Sequence, residues 1–175
     1  MKFSKLSQLF LVSAIGLLVA TLLTACQLVT IDYVFLASSA ATATSANGQI
    51  QTYAVDSQSG ALRQGAATVS CGGVDPVAMT VTTDYQNLYV ANAGDNTVVH
   101  FAIGSNGVLT SKDTLTLSAP PTSLAVNSAG TYLYVVYGSN SATLAEYALS
   151  SGTIGSQTAS ESLLVPGSES DEVVP

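Results

Sequence analysis

Tryptophan is absent from this chain of 175 residues, and histidine and cysteine are scarce. His100 is the single histidine, and the two cysteines are Cys26 and Cys71. A protein zinc site needs at least three side-chain ligands, most of them His, Cys or carboxylate. We therefore expect no metal site and no cofactor.

Basic side chains are also few, with four Lys and Arg against eleven Asp and Glu. Two of the four, Lys2 and Lys5, lie at the extreme N-terminus, which leaves Arg63 and Lys112 in the remainder. An acidic surface repels phosphate backbones and anionic headgroups. The composition therefore argues against a nucleic-acid partner and against a polybasic membrane patch.

The first 25 residues have the pattern of an export signal: a short basic start, then a nearly continuous apolar run over residues 9–25. That run is short for a membrane span, which needs about 20 apolar residues, and no charged flank follows it. We expect a signal helix over residues 1–25 and a mature chain over residues 26–175. An ordinary secretory signal and an uncleaved anchor helix remain as alternatives.

The residues before Cys26 read Leu23-Thr24-Ala25, and this tetrapeptide resembles the lipobox of bacterial lipoprotein precursors. The resemblance implies cleavage before Cys26 and acylation of its thiol and amine. The mature chain would then be tethered to a membrane of the bacterial envelope, outside the cytoplasm. Cys71 would have no intrachain partner, which excludes a disulfide framework.

Short runs of Val, Ile, Thr, Tyr and Phe, bounded by Gly, Asn, Asp and Ser, fill the rest of the sequence and predict β-strands. Phe35, Tyr89 and Tyr134 begin equivalent strands at intervals of 54 and 45 residues. Pro76 and Pro121, 45 apart, each precede an apolar alternation and suit a first strand position. A repeat of this length built only from strands predicts propeller blades.

We therefore predict an all-β fold, a partial β-propeller of about three four-stranded antiparallel blades after the signal helix. The blades are expected at residues 31–75, 76–120 and 121–175. Natural propellers close with about 4 to 8 blades, so three cannot form a ring. We interpret the chain as part of a longer propeller. In isolation, its open sheet edges would be prone to associate with other chains. A β-sandwich adhesin, with two stacked sheets, is a lesser alternative.

Two stretches resemble the repeat of lactonase-like seven-bladed propellers, which are related to the repeats named for Tyr-Val-Thr-Asn. The matching residues are Leu88-Tyr89-Val90-Ala91-Asn92, Gly94, 98–101 and 107–110, with Leu133-Tyr134-Val135 and Tyr147-Ala148-Leu149 in the next unit. The resemblance implies a seven-bladed fold. It also implies that substrate groups gather at the mouth, on loops joining one blade's outer strand to the next blade's inner strand.

Those loops are residues 71–76 and 118–121, so Asp75 is the candidate base for lactone hydrolysis, which also needs a group to hold the developing oxyanion. The Asp75-Pro76 pair is also typical of an ordinary turn. Family repeats often carry a His shortly after the proline, and this chain has Ala78 and Ser123 there. That departure weakens the enzyme interpretation.

Asn92, Asp95 and Asn96 are candidates for ligand contact in the loop after a central strand, although such residues more often simply form turns. Strand alternation places His100 opposite its neighbouring aromatic, so we expect it to face solvent. Cys71 has no basic neighbour in sequence and reads as a structural thiol. The eight tyrosines fall mostly in strands, which predicts packing rather than an exposed sugar platform.

Two functions from different classes follow. The first is a lipid-anchored extracytoplasmic propeller segment that acts as a binding or scaffold module, with an envelope protein or glycan as partner. The alternative is a sugar-lactone hydrolase, similar to 6-phosphogluconolactonases, whose catalytic residues lie mostly outside this chain. We rank the module first, since phosphorylated sugar lactones are cytosolic compounds and the chain carries an export signal.

Overall fold

The computed structural model describes residues 30–39, 47–139 and 141–164, and these form three separate antiparallel sheets. The predicted signal helix, Cys26 and the residues after 164 lie outside the described residues. Within the described residues there is no α-helix, and therefore none long and apolar enough to cross a membrane.

Each sheet uses consecutive strands, as expected for propeller blades. The first contains β1 (Thr30–Ser38), β2 (Gln49–Asp56), β3 (Leu62–Gln64) and β4 (Val69–Ser70). The second contains β5 (Pro76–Val81), β6 (Asn87–Asn92), β7 (Thr97–Ile103) and β8 (Leu109–Thr116). The third contains β9 (Pro121–Val126), β10 (Tyr132–Tyr137), β11 (Ser141–Ser150) and β12 (Thr153–Leu164). One short 3-10 turn, Ser105–Gly107, joins β7 to β8.

The strand order in the second and third sheets follows the sequence, so every connection within them is a local turn. Pro76 and Pro121 are the first residues of the edge strands β5 and β9, the position that the sequence predicted. A proline there removes no hydrogen bond from the interior of the ladder. Three sheets of this kind confirm the partial propeller and contradict the two-sheet sandwich.

The first sheet differs from the others because β3 and β4 both pair with β2, at opposite ends of it. They are two pieces of one interrupted outer strand. On the other side, β1 pairs with β2 alone, whereas the equivalent strands β6 and β10 also pair with β5 and β9. Among the described residues, the inner edge of β1 therefore has no partner strand.

The core lies between the sheets rather than within any one of them. One buried cluster joins the second sheet to the third, with Tyr89 and Val98 against Leu133 and Val135. A second cluster joins the first sheet to the second, with Ile50 and Cys71 against a group of residues that includes Leu88, Val90 and Val99. Each sheet thus has to cover both of its faces with neighbours, since a single β-meander has too little apolar surface to form its own core.

One outer face of the stack is left uncovered. Val34 and Leu36 on β1 are 44% and 51% exposed. By the ladder registers, Val34 is equivalent to Leu88 on β6 and Leu133 on β10. Leu36 is likewise equivalent to Val90 and Val135. All four of these equivalents are 0% exposed. The face of β1 that lacks a preceding sheet is therefore the face that would be core in a complete ring.

Packing between sheets predicts a large penalty for truncating a junction residue. Leu133→Ala should lower the free energy of unfolding by about 3 kcal/mol, because it opens a cavity between the second and third sheets. The matched control is Leu62→Ala on β3, where the side chain is 58% exposed and the loss should stay within about 0.5 kcal/mol. Chemical denaturation measures both, and equal losses would contradict this account of the core.

Candidate functional site

The predicted site residues meet at one end of the sheets, which we call the mouth end: the loop of residues 71–75, the turn of residues 93–96 and the loop of residues 117–120. Backbone hydrogen bonds hold these loops together. The amides of Ala93 and Gly94 donate to the carbonyls of Asp75 and Val74, at 2.8 and 2.9 Å. The amide of Leu117 donates to the carbonyl of Asn96 at 2.8 Å.

Asp75 is exposed at this end, in a left-handed backbone conformation with φ of 56°. Its carboxylate accepts one hydrogen bond from the Ser39 hydroxyl, 3.0 Å away. The position is open to solvent and could present a carboxylate to a ligand. No basic side chain of the described residues bonds to it.

Asn92 has a different character, because its side chain is completely buried. Its Oδ1 accepts from the Cys71 thiol at 3.2 Å, and its Nδ2 donates to the Thr97 hydroxyl at 3.4 Å. A Cβ on Gly73 would lie 2.5 Å from that Nδ2, so only glycine fits at this position of the loop. Asn92 therefore positions the loop of residues 71–73.

The other two predicted ligand contacts are more accessible. Asp95 is exposed and accepts a 2.8 Å hydrogen bond from the Thr97 hydroxyl. Asn96 has a left-handed φ of 58°, a conformation that asparagine tolerates better than most residues. The mouth end thus gathers Asp75, Asp95 and Asn96 around a rigid buried amide.

Among the described residues, positive charge is missing from this end. The basic side chains of the described residues are Arg63 on β3, His100 on β7 and Lys112 on β8, none of them in a mouth loop. The described part of the chain also holds no group of three or more His, Cys, Asp or Glu arranged for a metal ion. The mouth offers hydrogen-bond acceptors, with no cation beside them.

The Cys71 side chain is buried, with its thiol 3.0 Å from the carbonyl of Gly73. Burial raises the pKa of this thiol, and the negative charge of Asp95 acts in the same direction. A raised pKa reduces the thiolate fraction at neutral pH, and the thiolate is the reactive form. Cys71 is a structural thiol in this fold.

The expectation that His100 faces solvent is wrong, since only 2% of the residue is exposed. The alternation of side chains along a strand separates core from solvent positions only where one face of the sheet is exposed to solvent. Here the third sheet covers that face of β7. The ring stacks on Tyr89, with centroids 5.0 Å apart, and its Nδ1 lies 2.6 Å from Asp113 Oδ1.

This histidine belongs to a polar cluster that the sequence did not reveal. Its Nε2 lies 2.9 Å from Oδ1 of Asn87, and the second oxygen of Asp113 accepts the backbone N–H of Ile154 from the third sheet at 3.0 Å. The Tyr89 hydroxyl donates to the carbonyl of Gly152 at 2.6 Å. The cluster joins two sheets and lies toward the end opposite the mouth.

Known proteins resemble the chain in both sequence and fold. The family described as lactonase, seven-bladed β-propeller, matches residues 47–170. A solved protein from Lactobacillus plantarum is 26% identical, with a TM-score of 0.61 over 75% of this chain and 39% of that one. A comparison with curated proteins finds no match.

Two other solved structures share the fold. The periplasmic gluconolactonase of Pseudomonas aeruginosa is 24% identical, with a TM-score of 0.57 over 68% of this chain and 35% of that one. A candidate 6-phosphogluconolactonase from Bacteroides uniformis is 18% identical, with a TM-score of 0.58 over 71% of this chain and 38% of that one. The chain therefore spans well under half the length of the structures it matches.

Burial of Cys71 predicts slow alkylation in the native protein. In a Cys26→Ser background, iodoacetamide should react with Cys71 at least about 100-fold more slowly in the folded state than in denaturant, because access requires local opening. Mass spectrometry over a time course measures both rates. Similar rates in the two states would place the thiol at the surface and contradict its structural role.

Proposed function

Because the chain belongs to the lactonase family of seven-bladed β-propellers, we propose that it is an extracytoplasmic propeller segment, anchored by lipid at Cys26, that works as a binding or scaffold module. Its partner would be a protein or glycan of the bacterial envelope. The export signal and lipobox of the sequence support the location. The similarity to a periplasmic gluconolactonase agrees with it.

The observation that carries this proposal is the charge of the mouth. Lactone hydrolysis needs a base to activate water and a cation or preorganised donors to stabilise the oxyanion. The described mouth loops supply the carboxylates of Asp75 and Asp95 but no basic side chain. The side-chain amide of Asn92 lies at the mouth, but it already forms hydrogen bonds with Cys71 and Thr97. These residues suit recognition of hydroxyl or amide groups better than acyl transfer.

A second candidate is sugar-lactone hydrolysis. The family and two of its solved relatives favour it, since those relatives are described as a gluconolactonase and a candidate 6-phosphogluconolactonase. In this case Asp75 would act as the base, and the oxyanion partners would come from blades outside this chain.

A hydrolysis assay separates the two functions. We expect no turnover of δ-gluconolactone or 6-phosphogluconolactone above the buffer rate, because the described mouth loops carry no basic side chain to stabilise an oxyanion. Asp75→Asn and Asp56→Asn should behave like the unmodified chain. Asp56 is the matched control, since it is a half-buried carboxylate at the opposite end, on the last residue of β2, where it accepts the Ser59 amide. Turnover that falls in Asp75→Asn but not in Asp56→Asn would reverse the ranking.

Substitution of the two cysteines tests the anchor. Cys26→Ser should move the protein from the membrane fraction to the soluble periplasmic or culture fraction, because it removes the thiol to be acylated. Cys71→Ser leaves that thiol in place and should stay with the membrane. Fractionation and mass spectrometry of the N-terminal peptide provide the readout. A Cys26→Ser protein that remains membrane-bound would rule out the lipid anchor.

A further inference from the structure

The end of the sheets opposite the mouth carries a polar cavity of about 460 Å³ between the second and third sheets. We call this end the hairpin end: it holds the β5–β6 hairpin (residues 82–86), the β9–β10 hairpin (residues 127–131) and the turn at residues 151–152. The first hairpin and the adjoining Asn87 line the cavity with hydroxyl, carboxylate and amide residues, and the remaining lining residues are Ala102, Ile103, Ala129, Gly130, Ser151 and Gly152. Its size lies within the range of roughly 300–1,000 Å³ that is usual for small-molecule sites.

Asn87 presents a hydrogen-bond donor to this cavity. Its Oδ1 is held by His100 Nε2 at 2.9 Å, and its Nδ2 bonds to no other described residue. Every buried side-chain nitrogen and oxygen of the described residues has a partner, so Nδ2, which has none among those residues, is accessible to solvent. Because Asn87 lines the cavity, that donor is available to a ligand.

The orientation of this amide is fixed from behind. The imidazole of His100 bridges two side chains, with Nδ1 2.6 Å from Asp113 Oδ1 and Nε2 2.9 Å from Asn87 Oδ1. Asp113 is itself anchored by the Ile154 amide of the third sheet. On its other side Asn87 packs against Gly152, where any Cβ would overlap the Asn87 side chain. The buried histidine is thus a positioning residue for the amide.

Asp84 supplies acceptors beside that donor. One carboxylate oxygen accepts from the Thr82 hydroxyl at 2.5 Å and from the Gln86 amide at 3.0 Å, while the residue remains exposed. These hydrogen bonds hold the pKa of the Asp84 carboxyl below its ordinary value, the Thr82 hydroxyl having the larger effect. The Thr83 hydroxyl ties this hairpin to the carbonyl of Ser128 at 2.8 Å, which closes one side of the cavity.

Tyr85 stands at the tip of the same hairpin, 72% exposed, with a positive φ of 58°. The equivalent slot of the next hairpin, 45 residues on, is Gly130 with φ of 68°. A bulky side chain is disfavoured in this conformation, and glycine is the usual choice. The second blade thus holds an aromatic ring in solvent where the third blade has none. Tyr85 also lines the neighbouring cleft of about 370 Å³, together with Tyr33 and Phe35.

The chemistry of this end selects one class of ligand. No basic side chain lines the cavity, and the chain is acidic, so an anionic ligand would be repelled. The paired donor and acceptors of Asn87 and Asp84 match vicinal hydroxyl groups, and an exposed aromatic ring offers a face for the C–H side of a sugar ring. We propose that the hairpin end binds a neutral oligosaccharide, one ring in the cavity at Asn87 and Asp84 and an adjacent ring on Tyr85. This inference names a ligand for the binding role proposed above and rests on that role.

The test uses maltotriose and chitotriose as neutral probes and gluconate as the anionic comparison, each titrated into the ¹⁵N-labelled protein. We expect chemical-shift changes with at least one trisaccharide at residues 82–87 and 129–130, and none with gluconate. Asn87→Ala and Tyr85→Gly should each weaken binding about tenfold, whereas Tyr85→Phe, which keeps the ring, should retain it. Tyr85→Gly should keep or raise the thermal stability, since glycine relieves the positive φ.

Glu161→Gln is the control, since Glu161 is an exposed carboxylate on the outer strand β12, and this variant should bind like the unmodified chain. Shifts confined to residues 92–96 would overturn the hairpin-end site while leaving a binding module at the mouth. Absence of any shift with both trisaccharides would overturn the saccharide inference and leave an envelope protein as the partner. Mapping on the unmodified protein decides the location even if Asn87→Ala fails to fold.

Discussion

The packing of one β-sheet on the next is the interaction on which this molecule depends. Each sheet is a simple meander whose strands pair with their sequence neighbours, so local hydrogen bonding costs little in chain entropy. Its two faces, however, are both apolar along the central strands, and neither can be buried within the sheet. Tyr89 illustrates the result: it is a residue of the second sheet, yet its ring and hydroxyl are buried against the third.

The same constraint explains which parts of the fold could be predicted. The strands, their hairpins and the positions of Pro76 and Pro121 follow from local residue preferences and from the spacing of the repeat. The environment of His100 could not be obtained in this way, because alternation states which face a residue is on but not whether another sheet covers that face. The contact between Cys71 and Asn92 was likewise hidden, since it joins the loop after the first sheet to the end of β6 in the second sheet. Tyr85 could have been identified from sequence: aligning the two hairpins places it opposite Gly130, a slot that favours glycine.

The two ends of the sheets are chemically distinct. The mouth end is held rigid by a buried amide and thiol, and it exposes carboxylates without a neighbouring cation. The hairpin end carries a cavity between two sheets, backed by a histidine and an aspartate that orient one amide. The resemblance to lactonase-like propellers directs attention to the mouth, and the hairpin end holds a second group of polar side chains where the strands turn back. The exposed side chains at the two ends, Asp75 and Asp95 at the mouth and Asp84 and Tyr85 at the hairpin end, come from turns and loops, whereas the amides of Asn92 and Asn87 come from the two ends of β6.

The stack of sheets has a direction. Leu88 and Leu133 point back toward the preceding sheet, while Tyr89 points forward to the following one. The two terminal faces are therefore unlike: one is aliphatic at Val34 and Leu36, and the other carries Tyr134, the register equivalent of Tyr89. In the observed junction between the second and third sheets, the tyrosine-bearing face of one sheet packs on the aliphatic face of the next. An additional repeat that packs in the same way therefore joins head to tail. A chain built on this rule can lengthen by gene duplication without redesign of its junctions, whereas inversion of a repeat would break two junctions at once.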